Sequence, residues 1–176
     1  EQSPYVDVTL ELTKRVKTEF PRVGVCLQAY LYRTMDDLKA LIDLGIGVRL
    51  VKGAYKEPPS VAIAKKSDVD ENCFTLATVM LEGVSRTNGF RAVFGTHDAR
   101  LIARIRAHAE RAGLGARDFE IHMLYGIQRG EQGRLVKDGV DLRVLVAYGA
   151  FWFPWYMRRL AERPANVWFV VKSLFA

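Results

Sequence analysis

"IGVRLVKGAY", residues 46–55, reads as a short buried strand through Ile46, Val48, Leu50 and Val51 that ends in two cations, a glycine and an aromatic ring. Side chains three apart on a strand face opposite sides, so Lys52 joins Arg49 on one face only if the chain turns at Gly53. Two readings of the pair stay open at this point. Each cation can bridge to a carboxylate on a neighbouring strand, or the two can meet an anionic or electron-rich ligand at the strand's carboxyl end.

Outward from this stretch, the same unit recurs. "PYVDVTLELTKRVKTEF" places Val6, Leu10, Thr13, Val16 and Lys17 on one helical stripe, with Pro4 near its start. "VGVCLQAYL" is the next strand. "RTMDDLKALIDLG" is a helix, with Thr34 as its expected cap, Asp37 three residues on, and Gly45 closing it. After residues 46–55, "SDVDENCFTLATVMLEGVSRTNG" is a long amphipathic helix with Ser67 or Asp68 as its expected cap. The strand "FRAVFGTHD", a helix with Leu101, Ile105 and His108 or Ala109 inward, the strand "DFEIHMLYG" and the Gly-interrupted helix "QRGEQGRLVKDG" follow. The strand "VDLRVLVAYG" and the helix "FPWYMRRLAERPAN" complete the alternation.

Apolar strands separated by helices predict an α/β protein with a mainly parallel, covered sheet. An open doubly wound sheet and a TIM-type barrel both fit that alternation. Neither GxGxxG nor GxxxxGK[ST] follows any strand, which weakens the nucleotide-binding versions of the open sheet. In each unit the chemically useful residues collect at the carboxyl end of the strand: Gln28, Lys52 and Tyr55, Thr96 to Asp98, His122 and Tyr125, Tyr148. Barrel enzymes build their sites at that face, so a barrel is the expectation. Five strands are visible where a barrel has eight, so residues 1–176 are expected to be a single catalytic-barrel domain that is incomplete at its N-terminus.

The bulk numbers bound the function. A chain of 176 residues, 49% hydrophobic and 26% charged, supports one sizeable core. The net charge of +6 suits an anionic partner, but the cations are spread along the chain, so no nucleic acid is expected. Cys26 and Cys73 sit in apolar patterns without metal or disulfide spacing and are expected to be reduced core thiols, which favours a cytoplasmic location. No metal site is expected, because the three histidines lie on separate elements. The apolar runs stop well short of the ~20 residues of a membrane span.

Two further constellations carry chemistry. In "GTHD", residues 95–98, Thr96 and Asp98 can cap the following helix, and its free N–H groups with His97 suit a phosphate. In "YMRRLAER", residues 156–163, Arg158 and Arg159 follow an aromatic cluster, Phe151 to Phe153 with Trp155 and Tyr156. An arginine pair is either a solvated face or a carboxylate clamp.

Together "LQAYLYRT" (27–34), "RLVKGAY" (49–55), "GTHD" (95–98), "MLYGI" (123–127) and "YMRRLAER" (156–163) resemble the proline dehydrogenase family, in the family's order and one per βα unit. The monofunctional bacterial form is the closer likeness, because the connections here are short. The resemblance implies a distorted (β/α)8 barrel, of which this chain supplies about the last five units, with FAD at the strands' carboxyl ends. It implies oxidation of L-proline to Δ1-pyrroline-5-carboxylate, with electrons passing to a quinone. Arg158 and Arg159 would clamp the proline carboxylate, Tyr55 and Leu124 would wall the ring, and Glu162 would sit near the flavin. Gln28, Arg49, Lys52, Gly53 and Ala54 would meet the flavin, Arg49 near its N5 edge as the catalytic residue, and Thr96 and His97 would hold the phosphate or adenosine portion. Coupling to pyrroline-5-carboxylate dehydrogenase and peripheral contact with the inner membrane are implied as well.

The chain departs from the family pattern at three places. "RVLVAYG" has Leu145 where the family has Tyr and Ala147 where it has Pro; His122 stands where Gln or Glu is expected; and Glu1 resembles the end of the family's DxE strand, whose Asp lies outside these residues. The competing expectations are a degenerate or incomplete homologue that keeps a flavin pocket, and a phosphate- or nucleic-acid-binding α/β domain.

Overall fold

The structure is a computed structural model that describes residues 2–87, 89–150, 152 and 154. After a 3-10 turn at Ser3–Tyr5 come α1 (Val6–Glu19), β1 (Gly24–Gln28), α2 (Thr34–Asp43), β2 (Gly47–Val51), α3 (Lys66–Arg86) and β3 (Ala92–Gly95). They are followed by α4 (Ala99–Arg111), β4 (Glu120–Leu124), α5 (Arg129–Lys137) and β5 (Asp141–Leu145). Each element falls where the periodicity predicts it, with the strands trimmed to their apolar centres. The helix expected around residues 153–166 lies, apart from Pro154, outside the described residues.

The five strands are all parallel and pair in sequential order, β1-β2-β3-β4-β5. A doubly wound sheet reverses its strand order at a switch point, whereas a barrel adds each strand on the same side of the last. The sequential order therefore selects the barrel, and the chain forms consecutive βα units of that architecture. Register explains how the faces are used. The row Leu27, Leu50, Phe94 and Ile121 is buried against the helices. The adjacent rows, Cys26–Arg49–Val93–Glu120–Asp141 and Gln28–Val51–Gly95–His122–Arg143, lie on the opposite face, the interior of a closed barrel.

The helices bury stripes that their sequences foretell: Val6, Leu10 and Thr13 from α1, Leu38, Leu41 and Ile42 from α2, Leu76, Met80 and Leu81 from α3, and Leu101, Ile105 and Ala109 from α4. Each such aliphatic side chain contributes roughly 1.5–3 kcal/mol on burial. Ala109 rather than His108 completes the α4 stripe. Cys73 is a packed thiol that burial pushes up to about 12.

Two caps differ from expectation. The Thr34 hydroxyl donates to the Gln28 carbonyl at 2.6 Å rather than capping α2, because the tight β1–α2 turn brings that carbonyl within reach. Neither Ser67 nor Asp68 caps α3; Lys65 occupies the cap position, and Ser67 turns its hydroxyl to Asp68. Gly45 closes α2 as read, at φ 62°.

Candidate active site

Three contacts link the carboxyl ends of four neighbouring strands into a continuous row. The first joins β1 to the loop after β2. Gln28 is 3% exposed, and its Oε1 accepts the Ala54 N–H at 2.8 Å. The β1–β2 pairing runs past both strand ends, with Ala29 N–H to Val51 O and Tyr30 N–H to Lys52 O. This lays the Tyr30 ring across Gly53, where a β-carbon would fall 1.7 Å from Tyr30 Cδ1, and where φ is 145°. Only glycine suits that backbone and that approach. Burial holds the Tyr30 phenol neutral, pushed up to about 12. An open groove of about 480 Å3 runs beside this loop, lined by Tyr30, Lys52, Gly53, Tyr55, Ile63 and Asp70 among others.

The second contact joins β2 to the start of α4. Lys52 Nζ lies 2.5 Å from Asp70 Oδ1 and 2.6 Å from Asp98 Oδ2. Burial alone would lower the lysine and raise both carboxyls, but the paired charges reverse each shift and keep all three groups ionised. Asp98 is also the N-cap of α4, its Oδ1 accepting the Arg100 and Leu101 amides. The Thr96 hydroxyl accepts the Asp98 N–H at 3.1 Å. Of the two readings for the cation pair, a salt bridge therefore holds for Lys52, with carboxylates on α3 and at the cap of α4 rather than on a strand. Arg49 differs: it points to the exposed face and lies across Gly95, where a β-carbon would sit 3.2 Å from its Nε.

The third contact joins β3 to β4. Thr96 N–H still donates to His122 O, and then β3 turns into α4 while β4 continues. The Leu124 N–H is left without a strand carbonyl and donates instead to His97 Nε2 at 3.2 Å. His97 Nδ1 is buried with no hydrogen-bond partner among the described residues, and burial pulls the imidazole below its ordinary pKa, towards the neutral form. Gln132, from α5, donates to the carbonyls of Leu124 at 3.0 Å and Ile127 at 2.8 Å, so Leu124 is held at both backbone groups. Leu124 is in register with Leu145, which is 50% exposed.

Below this row, on the same face, Glu120 accepts from Arg91 and pairs with Arg143 at 2.8 Å and His122 at 3.0 Å. Burial would raise the Glu120 carboxyl, but these partners hold it down to about 2. His122, the residue that stands where the family pattern has Gln or Glu, thus pairs with a carboxylate of its own strand.

Gln28, Lys52, Gly53, Ala54, Tyr55, Thr96, His97 and Leu124 thus come together at one edge of the sheet, with Arg49 on the adjoining open face. Arg158, Arg159 and Glu162 lie outside the described residues. Sequence reasoning missed Asp70, Tyr30 and Gln132 as parts of this edge, and Glu120 below it. Only Glu120 carried a signal, a lone acid inside the apolar strand "DFEIHML".

Among the described residues no helix is long and apolar enough to cross a membrane. Comparison with known proteins gives a consistent answer. The chain is 42% identical over 166 residues to Proline dehydrogenase 2 of Bacillus subtilis, covering 94% of this chain and 53% of that protein. It is 42% identical over 171 residues to Proline dehydrogenase of Deinococcus radiodurans, covering 96% of this chain and 54% of that one. The chain therefore spans about half the length of the curated relatives it matches. Among solved structures, proline utilization A (PutA) from Bdellovibrio bacteriovorus superposes with a TM-score of 0.80 at 25% identity, over 90% of this chain and 19% of that one. PutA from Corynebacterium freiburgense gives 0.74 at 22% identity, over 90% and 19%, a likeness of fold. The sequence profile described as Proline dehydrogenase matches residues 1–172, and on that match and these identities the chain belongs to the proline dehydrogenase family.

Proposed function

We propose that the protein oxidises L-proline to Δ1-pyrroline-5-carboxylate with FAD as cofactor, and that residues 1–176 are the larger part of its barrel domain. The observation that carries this reading is the row of strand-end contacts in a chain of this family, above all the buried His97 Nδ1, which has no hydrogen-bond partner among the described residues. The residues present fit a flavin. Gly53 lets backbone approach closely, Gln28 fixes Ala54, and Arg49 offers a guanidinium on the open face near the strand ends.

FAD supplies the acceptor for the hydride that leaves the pyrrolidine ring as the ring nitrogen loses its proton. The chain's own tasks are binding and orientation. Arg49 places positive charge beside the flavin's electron-rich edge. Thr96 and His97 face the phosphate or adenosine portion. Lys52, with its charge matched by Asp70 and Asp98, acts on the cofactor chiefly by fixing Gly53 and the turn at residues 95–98. Arg158 and Arg159 clamp the substrate carboxylate, since a planar guanidinium fork binds it bidentately. Tyr55 and Leu124 wall the ring, and Glu162 lies near the flavin and the arginine pair. Leu145 presents an apolar side chain where relatives of the expected pattern carry a phenol, so it alters substrate affinity or selectivity. A quinone would take up the electrons, which would call for peripheral contact of a cytoplasmic protein with the inner membrane. The product passes to pyrroline-5-carboxylate dehydrogenase.

The test is optical. Purified protein reconstituted with FAD is expected to show a flavin band that proline bleaches. Absence of the band refutes the cofactor assignment, and a band that proline leaves unchanged refutes the substrate. Arg158→Met or Arg159→Met is expected to weaken proline binding by at least ~2 kcal/mol, the scale for an unpaired buried charge.

A further inference from the structure

We infer that His97 is a single-tautomer bridge between the two ligands: its Nε2 positions the substrate wall at Leu124, while its Nδ1–H is held ready for an acceptor oxygen of the cofactor. The tether half stands on geometry alone; the donor half rests on the flavin reading above. A backbone N–H can only donate, so the 3.2 Å contact from Leu124 requires a lone pair on His97 Nε2. In a neutral imidazole the proton then resides on Nδ1, the buried nitrogen that has no partner among the described residues. The sheet enforces this arrangement, because β3 ends at Gly95 and the imidazole replaces the rung that β4 would otherwise lack. Gln132 fixes the Leu124 carbonyl from the other side, so movement of the imidazole is transmitted to a segment that cannot adjust freely. His97 is thus a binding residue towards the cofactor and a positioning residue towards the substrate.

Asparagine and glutamine separate the two nitrogens, since the Asn amide reaches the Nδ1 position and the Gln amide the Nε2 position. His97→Asn is expected to speed hydrogen exchange of the Leu124 amide about tenfold and to raise the proline KM more than it raises the FAD Kd, the effect of one lost hydrogen bond. His97→Gln is expected to do the reverse, raising the FAD Kd about tenfold with a smaller change at Leu124. FAD itself is the probe, titrated by its absorbance, and KM is read at saturating FAD. Equal losses in both variants, or Leu124 exchange that neither variant alters, would overturn the bridge. A protein that takes up no FAD overturns the donor half together with the flavin reading. The tether is still decided, because Leu124 exchange is measured without any ligand. Long-range imidazole nitrogen spectra, with His108→Gln and His122→Gln for assignment, give a second check: a proton on His97 Nε2 refutes the tautomer.

Discussion

Lys52 Nζ lies 2.6 Å from Asp98 Oδ2, while Oδ1 of the same carboxylate accepts the Arg100 and Leu101 amides. One aspartate thereby caps α4 and anchors the end of β2, and Asp70 holds the lysine from α3. The turn at residues 95–98 and the loop at Gly53 are fixed relative to each other by these ion pairs. Their worth is testable. Lys52→Met is expected to cost about 2 kcal/mol in urea unfolding, because partly buried Asp98 loses its cation and Asp70 keeps only that of the exposed Lys66. Asp98→Asn keeps a capping oxygen and is expected to cost less than Asp98→Ala, which adds the loss of the cap, about 1 kcal/mol. Equal unfolding midpoints for Lys52→Met and the parent would show that the ion pairs are only surface pairings.

Gly53→Ala forces a β-carbon into the Tyr30 ring at a φ of 145°. The variant is expected to lose at least about 1 kcal/mol of stability and much of its flavin, since the loop must shift away from the ring. Thermal melting and the flavin-to-protein absorbance ratio measure the two effects. Normal flavin content would mean that the backbone at residue 53 does not approach the cofactor.

Gln132→Ala strips a donor from the Leu124 and Ile127 carbonyls. The expected outcome is a loss of about 1 kcal/mol in stability with a raised proline KM. Gln132→Glu is expected to be the worse variant, because a carboxylate faces the same two carbonyls with no proton to donate. If Gln132→Glu matches the parent in KM, the α5 side chain does not hold the substrate wall.

Acid is expected to act through Glu120, whose carboxyl is held at about 2 against an ordinary value of 4.5. A depressed carboxyl contributes stability that is fully present above the unfolded value and is lost as pH falls from 4.5 towards 2. Solvent around the exposed arginines screens the pair, so about 2 kcal/mol is the expected size of the loss. Urea unfolding across that window should show a steeper decline for the parent than for Glu120→Gln. Parallel declines would assign acid sensitivity to other carboxyls.

The sequence by itself determined the alternation of helix and strand, the apolar stripes of α1 to α4 and the polar clustering at strand ends. These are local properties: period 3.6 against short apolar runs, and Gly45 where a helix must stop. It also carried the family motifs, which placed Gln28, Gly53, Ala54, Thr96, His97 and Leu124 at one edge before any coordinates. Tertiary structure alone decided what the charges do. Arg49 and Lys52 look equivalent in "RLVKGAY", yet one lies across the open face and the other is bound by carboxylates from positions 70 and 98, far apart in the chain. Alternation alone fits a doubly wound sheet as well as a barrel; the polar strand ends and the family motifs pointed to the barrel, and the sequential strand order bears that out. The missing rung that fixes His97 exists only because β3 stops two residues short of its neighbour, a relation between strands that no single stretch of sequence contains.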